Sequence, residues 1–75
     1  MEELLEILEE MHPDVDFTAE KALVDDGILD SLDIVSLISE IADRFDVVIP
    51  ADKIVPENFN SAEALMALID RLEED

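Results

Sequence analysis

Apolar residues recur at helical spacing in three stretches of this chain, and turn-forming residues fill the gaps between them. In residues 2–12, Leu4, Leu5, Leu8 and Met11 fall on one face with Ile7 beside them, while Glu2, Glu3, Glu6, Glu9 and Glu10 lie elsewhere. That pattern predicts an amphipathic helix whose first-turn acids suit the helix dipole. Pro13 stops it, because proline lacks an N–H and restricts the residue before it. His12 is expected to be a solvated residue at the helix end.

The strongest pattern spans residues 31–45. On a wheel of about 100° per residue, Ile34, Leu37, Ile38, Ile41 and Phe45 share one arc, the predicted core face. Ser31 lies at the edge of that arc. Beyond it come Ala42, Val35, Ser39 and Leu32, then Asp43 and Ser36; Asp33, Glu40 and Arg44 fall opposite the serine. The shoulder of Leu32 and Val35, rimmed by Ser36, Ser39 and Asp43, is wider than one buried stripe requires. Packing against a neighbouring loop and a docking surface account for it equally well.

In the last stretch Ala62, Leu65, Leu68, Ile69 and Leu72 supply a buried face, and Met66 fills a core gap. Asn60 is the expected N-cap, with Glu63 completing a capping box. Pro56 suits the first position of a short helix through Phe59. Val47-Val48-Ile49 has no partner strand anywhere in the chain, so it reads as an apolar connector. The prediction is an all-α fold: a small irregular four-helix bundle, three longer helices plus one short one, with a long first loop.

That loop, residues 13–30, is long for a compact domain unless it carries function or small pieces of structure. Val15, Phe17, Leu23, Val24, Ile28 and Leu29 require it to pack back over the bundle, and a helical turn fits Thr18 to Lys21. A calcium loop over Asp14 to Asp25 fails. Ala19 stands where the sharp turn needs glycine, and Asp25 replaces the bidentate glutamate. Gly27, the one glycine in the chain, marks a sharp bend, since glycine reaches positive φ without steric cost. Asp30 then caps the second helix, and Ser31 takes its first position beside N–H groups that have no intrahelical partner. A phosphate ester is favoured at such a place. Simple capping by Asp30 and Ser31 is the plainer reading of those two residues.

Composition narrows the chemistry. The 75 residues are enough for a single domain, expected over 1–75. With no cysteine and one histidine, neither a disulfide, a zinc site nor a Ser-His nucleophile system is expected. Twenty-two acids against four bases give a net charge of −18, which disfavours nucleic acid and anionic lipid and attracts basic patches on proteins. Hydrophobic residues make up 49% of the chain, enough to bury a core despite that charge. No apolar run approaches the ~20 residues of a membrane span, so a cytoplasmic, monomeric protein without membrane insertion is expected.

The run Leu23-Val24-Asp25-Asp26-Gly27-Ile28-Leu29-Asp30-Ser31-Leu32-Asp33 closely resembles the modification site of acyl carrier proteins. The segment Arg44-Phe45-Asp46-Val47-Val48-Ile49-Pro50 is similar to the end of their second helix and the loop after it. The likeness extends in element order from Leu4 to Leu72. It implies a carrier and not an enzyme. By resemblance, a phosphopantetheinyl transferase places 4′-phosphopantetheine on Ser31, Asp30 is the acid that the transferase reads, and magnesium belongs to the transferase reaction. The thiol of the arm would carry acyl or aminoacyl groups as thioesters, in fatty acid, polyketide or related biosynthesis. Partners would be acyl-transferring, ligating or condensing enzymes with basic patches, docking on Leu32, Asp33, Val35, Ser36, Ser39 and Asp43. Ser36 and Ser39 stand where fatty-synthesis carriers usually have glutamate and often methionine, and Arg44 where an acid is common, making that face less acidic. Arg44-Phe45-Asp46 together with the segment from Val55 to Ser61 looks more like D-alanyl carriers and related stand-alone carriers; a D-alanyl or peptidyl carrier and an unmodified acidic interaction module are the alternatives.

Overall fold

The structure, a computed structural model, describes residues 2–74, and within them the chain is all-helical. Helix α1 spans Glu2–Met11, α2 Ser31–Phe45, α3 Pro56–Phe59 and α4 Ala62–Glu74, with a single 3-10 turn at Ala51–Lys53. No strand forms among the described residues. Val47-Val48-Ile49 runs as a connector, burying Val47 and Ile49 and turning Val48 outward.

One core joins the elements. Leu4, Ile7 and Leu8 of α1 meet Leu37 and Ile41 of α2 and Leu65, Leu68 and Ile69 of α4, with Phe59 of α3 fully enclosed. Removing such side chains from water stabilises the fold by about 1.5–3 kcal/mol each. Of the predicted α2 arc only Leu37 and Ile41 are fully buried. Ile34, Ile38 and Phe45 lie half-covered around them.

The ends of α2 are set by local chemistry. Asp30 is its N-cap: the carboxylate accepts from Asp33 N–H at 2.8 Å, and Asp33 reaches back to Asp30 N–H at 3.4 Å, a reciprocal capping box. At the other end Asp46 adopts the left-handed conformation (φ 57°) that closes the helix. Arg44 bridges α2 to α1, with its guanidinium 3.3 Å from Glu40, 3.6 Å from Glu10 and 3.9 Å from Glu6.

Three expectations are corrected. His12 is not simply solvated: its Nε2 lies 2.8 Å from Asp33 Oδ2, tying the end of α1 to the start of α2. The cap of α4 is Ser61, whose Oγ accepts from Ala64 N–H at 3.0 Å, and not Asn60. Glu63 does not complete a capping box there; it pairs with Lys21 in the long loop, and that hydrogen bond and charge hold its carboxyl below the usual range. Arg44, finally, faces α1 and not the shoulder of α2, so it does not dilute the charge of that shoulder.

Candidate functional site

The site is assembled by two short pieces of the long loop. In the first, Asp16 closes a helical turn, its carbonyl accepting from Ala19 and Glu20 N–H and its carboxylate from Thr18. The Thr18 hydroxyl and N–H hold the Asp16 carboxyl below its ordinary value. Phe17 drops from this turn into the core.

The second piece is the knob from Leu23 to Leu29. Its ends close on each other, Leu29 N–H donating to Leu23 C=O at 2.9 Å, and both leucines are buried. Gly27 turns the chain between them at φ +75°, and its N–H bonds to Val24 C=O at 3.0 Å. The knob is fastened from the α3–α4 junction. Asn60 C=O accepts from Leu23 N–H at 2.9 Å, and Asn60 Oδ1 accepts from Val24 N–H at 2.9 Å and Asp25 N–H at 3.1 Å. Asn60 Nδ2 donates to Asp25 Oδ2 at 3.2 Å. The sequence reading missed this role for Asn60. Its signal was two cap-forming residues in a row, Asn60 and Ser61, where α4 needs only one.

Beyond Leu29 the chain emerges as Asp30-Ser31-Leu32, all three exposed. Ser31 occupies the first position of α2, as the capping pattern predicts. One Asp30 oxygen holds the cap. The N–H of Asp33 is used by that cap, and the N–H of Ile34 by Asp30 C=O at 3.0 Å, which leaves the first-turn N–H groups of Ser31 and Leu32 ahead of them. Those groups and the helix dipole suit a phosphate oxygen on Ser31, while the neighbouring carboxylates oppose it.

The other expected site residues divide into two groups. Leu32 (77% exposed) and Val35 (63%) stand out from α2 as bare apolar groups, with Ser36, Ser39 and Asp43 exposed around them. Val35, Ser36 and Ser39 also line an open hollow against Ile7 and Met11 of α1. Asp33 is turned the other way, half-covered and engaged with His12. Burial works against its carboxylate, but the hydrogen bonds from His12 and from Asp30 N–H, with the His12 charge, outweigh that and keep its pKa low.

His12, the chain's one histidine, is thus committed to Asp33 and not to Ser31. No group of His, Asp or Glu among the described residues is arranged to hold a metal ion. No helix among them is long and apolar enough to cross a membrane. The Ser31 hydroxyl thus stands exposed at the capped start of α2, on a strongly acidic helical bundle.

The chain belongs to the phosphopantetheine attachment site family, whose pattern it matches over residues 1–69. It is 35% identical over 65 residues to a D-alanyl carrier protein of Streptococcus sanguinis, covering 85% of this chain and 82% of that one. An aminoacyl carrier protein of Bradyrhizobium diazoefficiens is 41% identical over 63 residues, covering 84% and 69%. A D-alanyl carrier protein of Streptococcus suis is 34% identical over 67 residues, covering 88% and 85%. No solved structure gives a significant match. The protein is therefore a carrier, not an enzyme, and bears covalent phosphopantetheine on a serine.

Proposed function

We propose that Ser31 is the serine that bears the arm, and that the cargo is an amino acid held as a thioester. The observation that carries the first half is the position of Ser31: exposed, at the first turn of α2, directly after the buried Leu29 and the capping Asp30. Ser61 is spent capping α4, and Ser36 and Ser39 lie within α2, away from its open N–H groups. A phosphate on the Ser31 hydroxyl lies at the helix start, where the first-turn N–H groups of Ser31 and Leu32 have no intrahelical partner. Asp30 presents a carboxylate beside that hydroxyl for the transferase to read. When bound, the arm supplies the thiol that a chain without cysteine lacks.

An aminoacyl cargo is supported by the relatives, two named D-alanyl carriers and one an aminoacyl carrier. The shoulder of α2 agrees with this, since Ser36 and Ser39 stand where fatty-synthesis carriers usually have glutamate and often methionine. Leu32 and Val35 give partners an apolar contact, and Asp43 adds charge for a basic patch. The bundle acts as a monomer.

The arm is tested by mass spectrometry after incubation with coenzyme A, magnesium and a promiscuous phosphopantetheinyl transferase. The arm's mass appears on the wild type and not on Ser31→Ala. The cargo is tested on the loaded protein with ATP, D-alanine and a D-alanine-activating ligase, against malonyl-coenzyme A with a malonyl transferase. Charging with malonyl but with no amino acid overturns the aminoacyl reading.

A further inference from the structure

We infer that Asn60 is a positioning residue for modification: it holds the Leu23–Leu29 knob in the form that presents Asp30 and Ser31 to the transferase. The inference rests on Ser31 as the attachment point.

Three consecutive loop N–H groups, those of Leu23, Val24 and Asp25, converge on this one residue, the first on its carbonyl and the others on its Oδ1. The bond from Nδ2 to Asp25 Oδ2 fixes which way the amide faces. An asparagine supplies this combination at one point: an acceptor for two N–H groups and a donor to a carboxylate. Serine or threonine lacks the geometry for all three. Aspartate lacks the donor and sets like charges together.

The anchor is set between two core residues. Asn60 sits between buried Phe59 and buried Ala62, in the short link joining α3 to α4. From it a direct route leads to the serine. Val24, held by Asn60 Oδ1, accepts from Gly27 N–H, and Gly27 makes the turn that leads through Leu29 to Asp30. Without the side-chain clamp, the knob keeps its two buried leucines and its own backbone bonds but loses the ties at Val24 and Asp25 that fix it to the α3–α4 junction. A transferase that must align the Ser31 hydroxyl would then meet a broader set of loop conformations.

The experiment measures kcat and KM of a promiscuous phosphopantetheinyl transferase for wild type, Asn60→Ala, Asn60→Asp, Asp25→Asn and the double variant Asn60→Asp/Asp25→Asn. Circular dichroism fixes a temperature at which each is folded, and amide hydrogen exchange is read at Val24 and Asp25. In Asn60→Asp/Asp25→Asn the roles exchange: the new carboxylate accepts both loop N–H groups and the new amide at position 25 donates to it. Asn60→Ala and Asn60→Asp are expected to raise KM for the carrier about tenfold with kcat little changed, and to lose protection at both amides. The double variant recovers both, and Asp25→Asn alone behaves as wild type.

Unchanged kinetics in folded Asn60→Ala overturn the inference, as does a double variant no better than Asn60→Asp. Should Asn60→Ala fail to fold, the comparison of Asn60→Asp with the double variant decides alone. Failure of the Ser31 assignment is separate, since it appears as wild type left unloaded or loaded on another serine.

Discussion

His12 and Asp33 meet at 2.8 Å, an imidazole from the end of α1 against a carboxylate from the first turn of α2. The same carboxylate belongs to the capping box that starts α2, two residues after Ser31. One acid therefore serves both the helix start and the seam between two helices.

This arrangement gives the protein a defined response to acid. The Asp33 pKa is depressed on folding, so between its folded and unfolded values the unfolded chain binds more protons. Its contribution is complete above the usual aspartate value of about 3.9 and is lost as pH falls through the lower, folded value. The stability difference between wild type and Asp33→Asn is therefore expected to be constant above about pH 5 as far as this group is concerned, and to shrink below about pH 4. Urea unfolding of both proteins at several pH values measures it. A difference that grows on acidification contradicts the assignment.

Arg44 faces Glu6, Glu10 and Glu40 together, in a chain otherwise crowded with acids. Single exposed pairs contribute about 0–1 kcal/mol, and a network somewhat more. Arg44→Ala is expected to destabilise by about 1 kcal/mol, a melting shift of roughly 4–8 °C for a domain of this size. Arg44→Glu brings a fourth carboxylate into the cluster and lowers the melting temperature further. Both losses diminish in high salt. Equal melting temperatures for Arg44→Ala and Arg44→Glu at low salt would refute an electrostatic role.

Gly27 isolates a backbone effect. A Cβ placed there meets nothing within 4 Å, yet φ is +75°. Space is free and only the left-handed conformation penalises a side chain, by about 1–2 kcal/mol. Gly27→Ala is expected to lose about 1 kcal/mol, with Gly27→Asn losing less because asparagine tolerates this region. Chemical denaturation of the two variants gives the ranking, and a neutral alanine would mean the turn is not held left-handed in solution.

With a net charge of −18, self-repulsion works against the folded state everywhere on the surface. Raising salt from about 10 mM to 150 mM shortens the screening length from roughly 30 to 8 Å, and the melting temperature is expected to climb. A flat melting curve across that range would show that repulsion is already balanced locally.

The helices and the placement of Ser31 were legible because both follow from neighbours in sequence. Spacing gave the faces of α1, α2 and α4, Pro56 began α3, and Asp30 with Gly27 marked the start of α2. His12, Asn60 and Arg44 were not legible in the same way. Each finds partners on another element, 21 residues away for His12 and 35 to 36 for the Asn60 side chain, and on α1 for Arg44 beside its α2 neighbour Glu40. Asn60 and Ser61 are both good caps, so local preference could not choose between them; the choice fell to the unpaired N–H groups of a loop far upstream. Arg44 lay opposite Ser31 on the wheel, but periodicity alone does not say that α1 occupies that side.

The Asn60 clamp also sets an order of events in the making of the protein. The knob that leads to Ser31 lacks its fastening until the ribosome has synthesised the far end of the chain and α3 and α4 have turned back on the bundle. A transferase that depends on the fastened knob thereby discriminates against half-built or unfolded copies. Attachment of the arm would then double as an inspection of the finished fold.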